Sequence, residues 1–416
     1  MASSSSSYRG CPRMSNVERT TISLSDDDDN DSLYEVARSI AQDEAEVTQE
    51  LVDLTQDDDG SSPELSSEPH VNPRRCQKSI VSIRGMELAV GDVVELAEHV
   101  GVWAIQFIDI QEMCVDQSTS RVLLRGVPYA RTKNLRGRLE PKLNEVCRII
   151  ETVHDDHRTS EQEMLIEVSA NQVLAKRVLI KTNSNFPNCR FGNDSNWRSM
   201  SHTQKEEKAP LTCRWEMRIE YQNGRCQKND RPLGGALIHL SEDDVEQGPY
   251  CVSDQQRQRD WRGRRRGVQA KTTGKYTFGD VFCGAGGTSR GAVMAGFEPI
   301  VAVDNSSTAC QTYQRNFPDT NLFTQDIYDF IHDPEKFYVD VLHISPPCQP
   351  YSPIHVREGQ NDEANTAALF FHDVLEKTHP RLITLEETFG LTHNKHVLWF
   401  NALLRGFTSR HYSIKW

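Results

Sequence analysis

The C-terminal third of the chain, 276–416, predicts an α/β domain built on a doubly wound parallel sheet. Three observations carry this. Short apolar runs alternate with helical stretches from Tyr276 onward. The first run opens into a glycine turn, Phe282-Cys283-Gly284-Ala285-Gly286-Gly287. The later runs end in polar or reactive residues, Asp304, Cys348 and Glu386, where such sheets hold ligands.

The elements follow in order. Tyr276–Phe282 reads as a buried strand, and Thr288 or Ser289 as the cap of a helix through Ala295, closed by Gly296. Pro299–Val303 is a second strand ending at Asp304, and Ser306–Asn316 a helix broken by Phe317-Pro318. Asp340–Ile344 leads into Pro346-Pro347-Cys348-Gln349. Asn365–Lys377 is helical, Leu382–Leu385 is a strand ending at Glu386, Val397–Leu404 is a helix, and Tyr412–Trp416 begins a further strand.

Ahead of this half, residues 86–183 read as a β-rich module, with a turn then a strand over 91–96 and further strands expected at 102–108, 122–126, 164–168 and 176–180. Residues 184–275 are ambiguous. Arg214–Tyr221 alternates like a strand, and Arg257–Lys275 is a basic run suited to a linker, to phosphate contact or to nuclear import. Residues 1–80 read as a disordered acidic tail. Up to residue 75 that tail holds seventeen Asp/Glu against six Lys/Arg, a net of −11 within a total of −13. The remainder is nearly neutral, so the overall acidity does not argue against a nucleic-acid partner. Two aliphatic patches beside acid runs, Thr21–Leu24 and Leu51-Val52-Asp53-Leu54-Thr55, have the makings of strands that add to a partner's sheet edge.

Eleven cysteines fall without a Cys-x-x-Cys pair, which disfavours zinc ribbons and disulfide frameworks and points to a reducing, intracellular setting. No apolar run approaches the roughly 20 residues that span a bilayer, and no membrane partner is expected. No metal is expected either, His154-Asp155-Asp156-His157 reading as a polar loop.

The glycine turn is not the Gly-x-Gly-x-x-Gly of dinucleotide binders, and no lysine follows it as a phosphate loop requires. Asp304 is placed to accept both ribose hydroxyls of a nucleoside, Asp326 to meet an adenine amino group, and Phe282 to lie against the adenosine. A nucleoside without phosphates, S-adenosylmethionine, fits this set better than NAD or ATP. Cys348, held between Pro347 and Gln349 just past an apolar strand, stands as a displayed nucleophile.

Together these motifs resemble the cytosine-5 DNA methyltransferases, over 277–416. The resemblance implies a Rossmann-like S-adenosylmethionine-dependent methyltransferase domain acting on DNA. Cys348 would be the nucleophile that adds to C6 of a flipped cytosine, and Glu386 the partner of N3. Phe282, Gly284, Gly286, Asp304, Asp326 and Pro346 would hold the cofactor. Residues 86–183 resemble a bromo-adjacent homology (BAH) domain, which implies chromatin or protein binding, and Leu51–Leu54 resembles a SUMO-interacting motif. Glu386-Glu387-Thr388, where the family normally has Asn and Val after its glutamate, is similar to the fungal RID (RIP-defective) branch. That branch implies a nuclear protein in silencing of repeated DNA. Only the first half of the catalytic domain is matched, so the sequence also admits a non-catalytic chromatin-binding protein derived from a methyltransferase half. An RNA substrate and a nicotinamide-dependent oxidoreductase are weaker alternatives.

Overall fold

The computed structural model describes residues 19–23, 75–116, 121–155, 160–186, 197, 199–257, 275–352 and 372–416. The Leu51–Leu54 patch, most of the basic run and residues 353–371 lie outside the described residues, as do the last two residues of His154–His157.

Five parallel strands form the C-terminal sheet: β1 (Thr277–Val281), β2 (Glu298–Asp304), β3 (Asn321–Thr324), β4 (Val341–Ile344) and β5 (Leu382–Glu386). They lie in the order β5-β4-β1-β2-β3, so the chain reverses direction of travel at β1, between β4 and β2. Helices α1 (Gly287–Met294), α2 (Ser307–Asn316), α3 (Ile327–His332), α4 (Asp373–Thr378) and α5 (Val397–Thr408) alternate with the strands. All four residues of β4 are buried, as expected of a strand covered on both faces.

Two local expectations fail for physical reasons. Neither Thr288 nor Ser289 caps α1. Gly286 occupies the cap position in the left-handed region, and the Ser289 hydroxyl donates instead to Asp280 at 2.6 Å. Within the stretch read as a disordered tail, Arg19–Ser23 forms a strand that pairs antiparallel with all of β5, Arg19 opposite Glu386 and Ser23 opposite Leu382. The β-branched run Thr20-Thr21-Ile22 suits a strand, as the Thr21–Leu24 patch suggests, but the sheet edge it joins is this chain's own rather than a partner's.

Among the described residues, the N-terminal module is built on a sheet of eleven strands, one of them supplied by the C-terminal half, with a separate two-stranded hairpin, Ile80–Ile83 and Met86–Ala89, beside it. Val93–Val100, Ile105–Asp116, Arg121–Arg131 and Glu145–Val153 pair antiparallel in sequence. The second begins three residues later than expected, because Gly101–Ala104 make the turn, with Ala104 at φ 51°. Leu211–Tyr221 then pairs parallel to Glu145–Val153, and Gly234–His239 antiparallel to Leu211–Tyr221. The ambiguous segment is thus part of this sheet.

The last strand, Ile414–Lys415, joins the N-terminal sheet rather than the C-terminal one, pairing antiparallel with Gly234–His239. Trp416 exchanges backbone hydrogen bonds with Gly235 at 2.8 and 3.0 Å. Its indole lies where a side chain on Gly235 would stand, 2.6 Å from an added Cβ. One cluster of buried apolar residues therefore runs from Trp103 and Trp215 through Phe400 and Phe407 to Val281 and Ile344.

Arg138 is buried at the join. Its guanidinium carbon lies 4.8 Å from the Trp103 ring and 5.2 Å from the Trp416 ring, and Nε donates to Asn401 Oδ1 at 3.0 Å. Burial, with Arg136 nearby, pulls its pKa down to about 10, so the group keeps its charge. No helix among the described residues is long and apolar enough to cross a membrane.

Two glycines in helices test the packing with opposite signs. At Gly406 in α5 an added Cβ would lie 2.0 Å from the buried His372 ring, whereas at Gly291 in α1 it would meet nothing within 4 Å. Gly406→Ala should cost about 1–3 kcal/mol through overpacking. Gly291→Ala should gain roughly 0.5–1 kcal/mol from reduced backbone entropy. Denaturant unfolding of the two variants reads both.

Candidate active site

Parallel pairing brings the strand ends together. Val281 lies opposite Ile344 and Ile344 opposite Leu385, so the glycine turn, the Pro346–Gln349 loop and Glu386 leave the same edge side by side.

The turn is made by three left-handed residues: Phe282 at φ 62°, Gly284 at 52° and Gly286 at 92°. A bulky residue at positive φ is strained by about 1–3 kcal/mol, and such strain persists where surrounding contacts hold it. Here the Phe282 carbonyl accepts the Ser345 hydroxyl at 3.2 Å, and the Cys283 amide donates to Val303 at 3.0 Å. Gly286 is required for a second reason, because an added Cβ would sit 2.5 Å from the Phe317 ring and 2.9 Å from Tyr313. Gly284 faces open space and leaves room for a ligand against the backbone.

Asp304 ends β2 and accepts the Gly284 amide on Oδ2 and the Ser306 amide on Oδ1, both at 2.8 Å. Asp326 is exposed, and its carboxylate caps α3, Oδ1 accepting the Tyr328 amide at 2.9 Å. The backbone between them is tied by the Gln325 amide, which donates to the Asp304 main-chain carbonyl at 3.1 Å.

Pro346 is buried and Cys348 half-buried. The Cys348 carbonyl accepts the amides of Tyr351 and Ser352, each at 3.1 Å, so the thiol stands at the head of a short 3-10 turn, Gln349–Tyr351. Burial raises the thiol pKa, and the Glu387 and Glu386 carboxylates add to the rise in that order. Glu386 is 37% exposed in its side chain. His343, buried in β4, donates to or accepts from Thr384 Oγ1 at 2.8 Å through Nδ1, and its Nε2 lies 3.9 Å from Glu386 Oε2.

Sequence reasoning missed two features. One is the buried set beneath the turn, where Asp280 Oδ2 accepts both the amide and the hydroxyl of Ser289, and that hydroxyl meets Tyr313 at 2.7 Å. Burial pushes the Asp280 carboxyl up to about 7. Its only sequence signal is an acid inside an otherwise apolar strand. The other is the Thr384–His343–Glu386 line, with His343 in the middle, legible only once β4 and β5 are paired.

Residues 276–416 match the family model described as C-5 cytosine-specific DNA methylase. The type II methyltransferase M.AgeI of Thalassovita gelatinovora is 33% identical over 121 residues, 27% of this chain and 28% of that protein. M1.HphI of Haemophilus parahaemolyticus is 34% identical over 126 residues, 28% of this chain and 34% of that protein. The chain thus spans about a third of the length of the curated relatives it matches. Among solved structures, a Spodoptera frugiperda DNMT2 mutant is 20% identical over 34% of this chain and 49% of that one, at a TM-score of 0.22.

The buried acids predict a pH dependence of stability. The folded pKa of Asp280 is raised above its ordinary 3.8, so its contribution is full below that value and is lost as pH rises through about 7. Glu387, raised from 4.5 to about 8, acts in the same sense over a window ending higher. The melting temperature should fall between about pH 4 and pH 8, and Asp280→Asn should flatten the lower part of that slope. Thermal melts across this range check it, the slope and not the absolute stability being the readout.

Residues 276–416, which carry the turn, Cys348 and Glu386, are in sequence similar to the C-5 cytosine-specific DNA methylases.

Proposed function

We propose that the protein is a DNA cytosine-5 methyltransferase that uses S-adenosylmethionine. The observation that carries the reading is the shared strand edge at which the glycine turn, Cys348 and Glu386 emerge. The residues fit the cofactor: Gly284 leaves open space beside the Asp304 carboxylate, and Phe282 is half-buried at the same edge. Asp304 and Asp326 would meet the ribose and the adenine, and Pro346 would close the wall beside them. Bound there, S-adenosylmethionine supplies an electrophilic methyl group.

Cytosine C5 is a poor nucleophile until a thiolate adds at C6. Cys348 Sγ forms that bond, and the electron pair of the C5–C6 double bond moves toward C5 and N3. Glu386 holds a proton at N3 and stabilises the charge that develops there. His343, 3.9 Å from Glu386, limits where that carboxylate can swing. After alkylation at C5, loss of the C5 proton to solvent and cleavage of the sulfur–carbon bond restore Cys348. A base inside a duplex cannot reach these groups, so the target nucleotide must be flipped out at a cost of about a few kcal/mol.

The wider role belongs to the same proposal. The Glu386-Glu387-Thr388 run and the β-rich module at 86–183 support a nuclear protein of the fungal RID type, acting in silencing of repeated DNA. In that setting the BAH-like module would meet chromatin proteins, and Leu51–Leu54 would meet SUMO.

DNA carrying 5-fluorocytosine should become covalently attached through Cys348 in the presence of the cofactor, because fluorine at C5 blocks the final elimination. Cys348→Ala should abolish the adduct, and Glu386→Gln should slow its formation about 10²–10⁴-fold. Denaturing electrophoresis reads the adduct; none formed by the wild-type protein would refute the proposal.

A further inference from the structure

His343 is the polar residue of a strand whose other members, Val341, Leu342 and Ile344, are apolar, and it is buried with them. An imidazole in that setting is stable only if polar groups meet its nitrogens. Strand pairing supplies them. His343 stands opposite Thr384 in the parallel register of β4 and β5, and alternation along β5 puts Thr384 and Glu386 on one face. Nδ1 meets Thr384 Oγ1 at 2.8 Å, and Nε2 lies 3.9 Å from Glu386 Oε2. The two ring nitrogens thus face different chemistry, a hydroxyl that can donate and a carboxyl oxygen that can accept. Glu386 is the looser partner, its side chain 37% exposed against 7% for His343.

Resting on the reading of Glu386 as the N3 partner, we propose that His343 is the positioning residue for that carboxyl. Thr384 fixes the tautomer of His343, and the Nε2–H of His343 holds Glu386 Oε2 so that Oε1 carries the proton offered to N3. The Thr384 hydroxyl donates to Nδ1, which leaves the ring proton on Nε2, on the side of Glu386. At 3.9 Å the last contact is longer than a hydrogen bond. A small rotation of the Glu386 side chain closes it, as catalytic contacts tighten once substrate is bound. In the addition step the Oε1 proton moves to N3 as the sulfur–C6 bond forms, and it returns to Oε1 when that bond breaks. His343 keeps its own proton throughout, and no bond to it is made or broken.

A packing role alone does not account for this placement. A residue that only filled space in β4 would serve best as an apolar one, like its neighbours, and the bond to Thr384 occupies one ring nitrogen, not both. The two oxygens of a half-exposed carboxyl are otherwise equivalent, and either can turn to solvent with the proton. Engaging Oε2 removes that freedom. The strand that leads to Cys348 is the one that carries His343, so the register that sets the nucleophile beside its acid also sets the group that orients the acid.

Two measurements on the full chain test the proposal. The first is the tautomer, by nitrogen-15 NMR of histidine-labelled protein. Of the 14 histidines, His343 is the one whose ring signals move in both Thr384→Val and Glu386→Gln, and its protonated nitrogen should be Nε2. A proton on Nδ1 overturns the proposal. The second is the rate of 5-fluorocytosine adduct formation at saturating DNA. His343→Asn keeps an amide near Nδ1 for Thr384 and leaves nothing at Nε2. It should be about 10–10²-fold slower, the scale of about 1 Å of misplacement. His343→Gln, whose amide reaches the Nε2 position, should recover most of that loss, which a merely structural role would not allow. Added to Glu386→Gln, His343→Asn should cost nothing further, because both changes remove one contact. A folded His343→Asn as fast as wild type, or losses that multiply in the double variant, overturn the proposal. If the histidine variants do not fold, the tautomer decides. Nε2–H in a wild-type protein that forms no adduct would refute the proposed function alone and leave the orientation of Glu386 by His343 standing.

Discussion

Everything at the candidate site depends on the parallel register of three strands. Val281, Ile344 and Leu385 stand in one row, so three segments far apart in sequence leave the sheet within a few residues of the same line. A slip of one residue would turn every side chain of a strand to the opposite face. The register is held by burial on both faces of β4 and by Asp340, whose Oδ2 accepts the amide and hydroxyl of Thr277 at 2.9 Å. Those contacts lie at the N-terminal end of the strands, remote from the chemistry they align.

The two modules are joined by more than a linker. Ile414–Lys415 completes the edge of the N-terminal sheet, the His239 amide donates to the Ser413 hydroxyl at 3.0 Å, and Arg138 is enclosed between rings from both halves. Breaking a buried, hydrogen-bonded guanidinium site leaves its partner groups unpaired and is costly. Helix α5 therefore answers to both sheets: Asn401 and Thr408 bond Arg136 and Arg138, while the same helix packs on the segment that follows β5. A disturbance at the N-terminal module has a direct path to the loop bearing Glu387.

Much of the catalytic half was legible because its signals are local. Apolar runs bounded by glycine and proline placed β1, β2, β4 and β5, and Ser306 was read correctly as the start of α2, where its hydroxyl accepts the Ala309 amide. The site residues were legible as strand ends, since a doubly wound sheet puts its ligands there. Pairings between distant segments were not. Nothing in Arg19–Ser23 names β5 as its neighbour, and nothing in Tyr412–Trp416 says that it joins the other sheet. Ser289 misled for a related reason: a hydroxyl near a helix start reads as a cap until the buried carboxylate of Asp280 is known to lie beneath it. Glu387 stood out as a departure from a pattern, but its burial needed the fold.

The proposed chemistry requires that the edge formed by the glycine turn and Asp304 hold a nucleoside cofactor. Calorimetric titration of S-adenosylhomocysteine into the protein tests this most directly, alongside an Asp304→Ala variant whose fold is checked by its melt. Saturable binding at one site per chain is expected, with a loss of affinity of at least about tenfold in the variant, the scale of one hydrogen bond to a charged group. No binding by the folded wild-type protein, or equal binding by the two, would contradict it.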